Sequence, residues 1–152
     1  YEDKWLNMMR DKLGLFGEDK DDKKLINNLF DWMEKNKADY TNTFCNLMDI
    51  NSHEVYKNND FINWKNEWKK RSKLNNSTKE KQIKLMKTNN PTVIPRNHIV
   101  EEALVAADKG NLDLMKVLLS ILKNPYDHQK NITEYQVPAP PRKEKYQTFC
   151  GT

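Results

Sequence analysis

Apolar side chains recur at every third or fourth position through most of this chain, and that spacing constrains the fold more than any other sequence feature. Positions three or four apart share one face of an α-helix, whereas positions on one face of a β-strand alternate. The strand-favouring residues Val, Ile and Thr are sparse before residue 125, and the 152 residues include only 4 glycines. Leu, Lys, Glu and Met, which favour helix, dominate instead. The sequence therefore predicts an all-α fold class.

The apolar stripes predict a helical domain of about six or seven helices over residues 1–124. The stripes are Trp5, Met9 and Leu13; Leu25, Ile26, Leu29, Phe30 and Met33; Tyr40, Phe44, Leu47 and Met48; Phe61, Trp64 and Trp68; Ile83 and Met86; Ile99, Val100, Ala103, Leu104 and Ala107; and Leu112, Met115, Leu118, Leu119 and Leu122. We expect Gly14 to end the first helix and Asp39 to cap the third. The fourth should begin at Asn59 or Asp60.

The last two stripes form the most apolar part of the chain. They follow a link in which Asn90-Pro91 and Ile94-Pro95 favour extended backbone, because each proline disfavours helical geometry in the residue before it. Gly110 lies between the two stripes, so their connection is short. We predict that these two helices pack as an antiparallel hairpin.

Residues 125–152 show no helical periodicity and carry prolines at positions 138, 140 and 141. Clustered prolines without an apolar period are typical of extended segments rather than of packed helices. We therefore predict a domain boundary after residue 124, followed by an extended, proline-containing tail that ends in a near-terminal cysteine, Cys150.

No complete catalytic, cofactor-binding or metal-binding pattern is present. The histidines are His53, His98 and His128, and the adjacent carboxylates are Asp21-Asp22 and Glu101-Glu102. The histidines lie far apart and lack the spacing of metal ligands. Adjacent carboxylates on a helix point about 100° apart, so we interpret both pairs as solvated surface. No glycine-rich phosphate loop and no kinase-type catalytic string occurs.

A basic stretch between Asp60 and Asn90 leaves an alternative function open. It holds nine Lys or Arg residues against three acidic ones, and Trp64 and Trp68 lie among them. Phosphate contact and base stacking need this composition, so a small basic helical nucleic-acid-binding module is the alternative. However, the tryptophans share a helical face with Phe61, which favours a place in the core. Nucleic acid is therefore the less favoured partner.

The chain has two cysteines, too few for the disulfide framework of a small secreted protein. Cys45 lies beside an apolar helical face, which favours a buried packing role. Cys150 follows three basic residues of the tail, and basic neighbours can activate a thiol for reversible oxidation; an inert terminal thiol is equally consistent. The sequence also predicts no membrane span and shows no signal peptide at Tyr1. We expect a cytoplasmic location.

Several short strings, taken in order, resemble one protein family. They are Lys12-Leu13-Gly14-Leu15; Asp39-Tyr40-Thr41 with Thr43-Phe44; Asn90-Pro91; Ile94-Pro95-Arg96-Asn97-His98; Glu101-Glu102-Ala103-Leu104; Gly110-Asn111; Asn124-Pro125-Tyr126-Asp127; and the ending Tyr146-Gln147-Thr148-Phe149-Cys150-Gly151-Thr152. Together they resemble the C-terminal region of bacterial members of the selenoprotein O family. The resemblance spans essentially the whole chain and is densest from residue 90 onward.

The resemblance implies a protein adenylyltransferase of protein-kinase-like fold, which uses ATP and a divalent metal such as magnesium to place AMP on protein hydroxyl groups. The nucleotide-binding and metal-binding residues of that family belong to its kinase-like portion, which this chain does not contain. The chain would then be a C-terminal, non-catalytic helical segment. Its expected partners are the kinase-like portion of the same protein and, as a second option, substrate proteins.

The same resemblance gives Cys150 a possible redox role. In this family the third residue from the end is selenocysteine in some members and cysteine in others, and Cys150 stands at that place. The resemblance thus implies a redox-regulatory thiol, with either Cys45 or a cysteine outside this chain as its partner.

Overall fold

The computed structural model describes residues 2–128 and 131–140, and these residues form helices without any β-strand. The α-helices are α1 Glu2–Leu13, α2 Asp22–Asn36, α3 Tyr40–Leu47, α4 Asn59–Ser72, α5 Lys79–Asn89, α6 Asn97–Asp108, α7 Asp113–Leu122 and α8 Thr133–Gln136. A turn of 3₁₀-helix, Glu54–Lys57, lies between α3 and α4. The predicted all-α fold class is confirmed.

The predicted cap of α3 and the predicted start of α4 are both confirmed. Asp39 Oδ1 accepts a hydrogen bond from the backbone N–H of Asn42 at 2.8 Å, so Asp39 caps α3 as expected. The cap of α4 is Asn58, whose Oδ1 accepts from the N–H of Asp60 at 2.9 Å. Asn59 is therefore the first helical residue, and the cap is the asparagine before it, because that side chain satisfies N–H groups left free in the first turn.

Gly14 follows the last residue of α1, and two features of the structure favour glycine at this position. Its φ of +65° lies in the left-handed region, where residues with a Cβ are strained. A Cβ at this position would also lie 2.6 Å from Cγ of Gln82 and 2.8 Å from Cγ of Met86. Helix α5 therefore approaches the end of α1 more closely than any side chain at residue 14 would allow.

Helices α1 to α5 share one hydrophobic core, and α4 contributes its tryptophans to it. Trp64 and Trp68 are each only 6% exposed, and their rings stack with centroids 6.4 Å apart. Their indole N–H groups donate to the carbonyl oxygens of Leu25 at 2.8 Å and Leu13 at 2.9 Å. The interpretation of these tryptophans as core residues is confirmed.

A buried carboxylate joins three of these helices. Asp22, the first residue of α2, has a fully buried side chain, and its Oδ2 accepts from Nε of Arg10 on α1 at 2.7 Å. Its Oδ1 accepts from Nε of Arg71 on α4 at 2.6 Å. The interpretation of Asp22 as solvated surface was wrong, because both of its partners are distant in sequence. Asp21 beside it is exposed, as expected.

Charge pairing also determines the protonation of Asp22. Burial by itself works to raise the pKa of this carboxyl, but the hydrogen bonds from Arg71 and Arg10 outweigh burial, so the pKa is lowered. A lowered pKa in the folded state means that the ionised carboxylate stabilises the fold above the unfolded-state pKa of about 3.9. This contribution is lost as the pH falls through the folded-state pKa.

Replacing Asp22 should destabilise the bundle strongly. We expect Asp22→Asn to lower the free energy of unfolding by about 3–5 kcal/mol at pH 7, because it leaves the buried guanidinium of Arg71 without its counter-charge and that of Arg10 with only the exposed Glu18, 3.3 Å away. Urea denaturation followed by circular dichroism measures this change. Asp21→Asn is the matched control and should change the stability by about 0.5 kcal/mol or less. Equal effects of the two substitutions would contradict the role assigned to Asp22, as would a loss that persists unchanged well below the folded-state pKa.

Helices α6 and α7 form the predicted hairpin and stand apart from the main core. A second, smaller cluster of buried residues lies at their base, formed by Val93, Ile121 and Ile132 with the partly buried Leu122 and Tyr135 packed against it. The described part of the chain thus consists of a five-helix bundle and a hairpin with its own small cluster.

The segment after α7 contains some regular structure. Residues 133–136 form α8, which lies within the predicted extended tail, whereas residues 137–140 have no regular structure. Among residues 2–128 and 131–140, no helix has both the length and the apolar character needed to cross a bilayer. Cys150 lies outside the described residues.

Candidate functional site

The thiol that the structure does describe is held in an unreactive setting. Cys45 on α3 is fully buried, and its Sγ lies 3.6 Å from the carbonyl oxygen of Pro91. Burial raises the pKa of this thiol to about 11, and the negative charge of Asp39 adds to the effect. A thiol in such surroundings is a packing residue rather than a nucleophile. The redox role of Cys150 stays a prediction.

Cys45 should therefore resist alkylation in the folded protein. In a Cys150→Ser background at pH 8, we expect iodoacetamide to modify Cys45 at least ~100-fold more slowly in the native state than in urea, because a pKa of about 11 leaves little thiolate. Mass spectrometry of quenched samples gives both rates. Native labelling as fast as in the unfolded chain would show that the thiol is accessible.

The histidines and carboxylates do not converge on a common point. His53 precedes the 3₁₀ turn, His98 lies in the first turn of α6, and His128 lies in the turn after α7. Within the part of the chain that the structure describes, no group of three or more His, Cys, Asp or Glu side chains could hold a metal ion. That the histidines form no metal site stays a prediction.

The basic stretch of α4 lines a groove of mixed charge. The groove between α2 and α4 is lined by Leu25, Asn28, Asp31, Trp32, Lys35, Asp60, Asn63, Trp64, Asn66, Glu67, Lys69, Lys70 and Lys73. Lys70 pairs with Glu67 at 2.7 Å, and Lys35 pairs with Asp60 at 3.2 Å. The tryptophan rings are buried and so are not free to stack on bases. Base stacking needs exposed rings, which this groove does not offer, and three carboxylates lie among its four lysines.

The α6–α7 hairpin carries the densest group of exposed apolar residues in the described structure. Seven of the ten residues of α7 are apolar, yet only Leu118 and Ile121 are buried. Large side chains with about half of their surface exposed are Leu104, Val105, Leu112, Leu114, Val117 and Leu119. A helix that is apolar all round is normally buried, and contiguous exposed apolar surface marks an interaction site. We call the exposed apolar residues just named the hairpin surface.

A shallow groove runs along one side of the hairpin surface. It has a volume of about 550 Å³, and its apolar lining comes from Val105, Ala106 and Leu114. The polar lining comes from His98, Glu101, Glu102, Lys109 and Asn111. An apolar floor with a polar rim is the usual anatomy of a protein–protein interface.

The hairpin is joined to the bundle mainly through polar contacts. Arg96, at the start of α6, donates to both carboxylate oxygens of Asp39, at 2.6 Å and 3.0 Å. On the other side of the joint, the Nδ2 of Asn42 donates to the carbonyl oxygen of Gln136 at 3.0 Å, and the Nε2 of Gln136 donates to that of Thr92 at 2.8 Å. Two-point pairing of a guanidinium with a carboxylate fixes direction as well as distance. These contacts hold the hairpin in a defined orientation.

The hairpin surface was not predicted as a site, although the sequence carried a signal for it. The three polar residues of α7, Asp113, Lys116 and Ser120, share one face, and seven apolar residues occupy the rest of the helix. That apolar surface is wider than the single face that a neighbouring helix covers. The described part is thus a helical bundle that carries an exposed apolar surface on its hairpin.

Comparison with known proteins identifies the family. The family model described as protein adenylyltransferase SelO matches residues 1–123. That match covers most of the chain, so the chain belongs to the SelO family of protein adenylyltransferases. The resemblance noted in the sequence is confirmed.

Three similar curated proteins are each about three times as long as this chain. The protein nucleotidyltransferase YdiU of Pelagibacter ubique is 56% identical over 154 residues, which cover all of this chain and 32% of that protein. The YdiU proteins of Nitrosococcus oceani and Clostridium botulinum are 44% and 46% identical, with 31% and 32% of their lengths covered. The chain therefore spans about a third of the length of these relatives.

Proposed function

We propose that this chain is the C-terminal, non-catalytic helical segment of a bacterial, cytoplasmic protein adenylyltransferase. The observation that carries the proposal is the match of the whole chain to about a third of relatives that are named nucleotidyltransferases. The placement at the C-terminus is supported by the ending Tyr146-Gln147-Thr148-Phe149-Cys150-Gly151-Thr152, which resembles the end of bacterial family members.

The proposed reaction transfers AMP from ATP to a hydroxyl group of a protein. The hydroxyl oxygen bonds to the α-phosphorus, the bond from that phosphorus to the bridging oxygen breaks, and pyrophosphate leaves while the hydroxyl proton passes to a base. The described residues do not fit a site for ATP and a divalent metal such as magnesium, since they lack a cluster of metal ligands and Asp22 has both oxygens on arginines. We place that site in the part of the enzyme outside this chain.

Isotopic labelling of the full-length enzyme tests the proposal. With magnesium, a protein acceptor and ATP labelled at the α-phosphate, we expect label on the protein; ATP labelled at the γ-phosphate should leave none. Label from the γ-phosphate alone would indicate phosphorylation instead, and would contradict AMP transfer. The isolated chain, with its helical content checked by circular dichroism, should transfer no label, and transfer by this chain alone would contradict the non-catalytic role.

A redox role for Cys150 forms the second part of the proposal. Oxidation would join this thiol to a second cysteine in a disulfide, while a disulfide oxidant such as oxidised glutathione takes up the two electrons and two protons. The full burial of Cys45 and its raised pKa of about 11 favour a partner outside this chain. The disulfide would then link the tail to the catalytic part.

Activity of the full-length enzyme under reducing and oxidising glutathione tests this role. We expect the rate of AMP transfer to differ between the two conditions in the natural protein, and this difference to vanish in Cys150→Ser. Cys45→Ala is the matched control and should keep the difference, because a buried thiol takes no part in exchange. Identical responses of the natural protein and Cys150→Ser would exclude the role.

A further inference from the structure

We infer that the hairpin surface is an intramolecular docking site, covered in the full-length protein by the part of the same polypeptide that lies outside this chain. The inference rests on the proposed function in one respect only, namely that the chain is a segment of a longer enzyme. It adds to that proposal the surface through which the segment binds the rest.

Helix α7 has more apolar side chains than its surroundings bury. Among the ten residues of this helix, only Leu118 and Ile121 are buried, whereas Leu114, Val117 and Leu119 are about half exposed. Leu114 and Val117 are three positions apart, so they share one face of the helix. The buried residues Leu118 and Ile121 lie four positions after Leu114 and Val117, so the same apolar side of α7 is covered near the base of the hairpin and open nearer its tip within the described structure.

Polypeptide outside this chain is available to cover the hairpin surface. About two thirds of each curated relative lies outside the region that this chain matches. The family model extends to residue 123, one position beyond the end of α7, so the hairpin is included in what the family shares. A tethered segment of the same polypeptide is present at a high effective concentration, which favours it over a separate molecule.

The side chains that line the groove indicate what kind of surface could bind there. Val105, Ala106 and Leu114 supply apolar side chains to the groove, and Glu102 and Lys109 supply one charge of each sign. A complementary surface would present apolar side chains, with polar groups opposite these two charges. The docked part of the enzyme should therefore be mainly apolar.

The joint to the bundle supports docking in one fixed geometry. The paired hydrogen bonds between Arg96 and Asp39, together with the contacts of Gln136 to the bundle and the link, hold the hairpin in place before any partner binds. A surface that is already ordered loses less conformational entropy on binding. The hairpin is thus preorganised for docking.

Cysteine accessibility in the full-length protein tests the inference. Single substitutions Leu114→Cys and Val117→Cys, made in a Cys150→Ser background, place thiols on the hairpin surface. Leu74→Cys is the matched control, because Leu74 follows α4 and is 69% exposed. Alkylation rates of each site are read from its own peptide by mass spectrometry and normalised to the rate in urea. We expect residues 114 and 117 to react at least ~10-fold more slowly than residue 74, because close contact with a covering surface excludes the reagent.

Three outcomes decide the matter. Slow labelling at positions 114 and 117 in a monomer, with size checked by light scattering, supports intramolecular docking. Labelling as fast as at position 74 overturns it. Protection that is lost on dilution, together with a dimer at high concentration, also overturns it, because the occupant is then a second copy. The result does not depend on AMP transfer, so a failure of the labelling test and a failure of the proposed reaction are distinguishable.

Discussion

The bundle depends on one buried carboxylate. Asp22 accepts hydrogen bonds from Arg10 and Arg71, and in this way the start of α2 is tied to α1 and to α4. The charges are tolerated inside the protein because Asp22 accepts hydrogen bonds from both arginines and Glu18 supplies a second negative charge to Arg10. With these three helices fixed, α4 presents its tryptophans to the core, and the end of α1 meets α5 at Gly14. The other two helices of the bundle, α3 and α5, pack against α1.

The hairpin is held in place by different interactions from those inside the bundle. Its attachment to the bundle is polar and directional, through Arg96 and Asp39, while six of its large apolar side chains are about half exposed. Asp39 has two tasks, since it also caps α3. Burial tends to raise the pKa of Asp39, but hydrogen bonds from Arg96 and from the N–H of Asn42 lower it, which keeps the carboxylate charged for both tasks. The bundle thus holds the hairpin surface open and in position.

The SelO family model covers both the bundle and the hairpin. The chain spans about a third of the length of its curated relatives. Its described residues divide into a bundle with a hydrophobic core and a hairpin with an exposed apolar surface. The buried Cys45 belongs to the bundle, because its thiol packs in the core.

Helix positions, the cap at Asp39, the core role of Trp64 and Trp68, and the hairpin were all determined by the sequence, because each depends on residues a few positions apart. Only the tertiary structure decided that Asp22 is buried, since its partner Arg71 lies 49 positions away and no local pattern encodes their meeting. Local sequence patterns likewise did not show that the hairpin surface is exposed. Periodicity shows which face of a helix is apolar, but whether that face is covered depends on which other parts of the polypeptide lie against it.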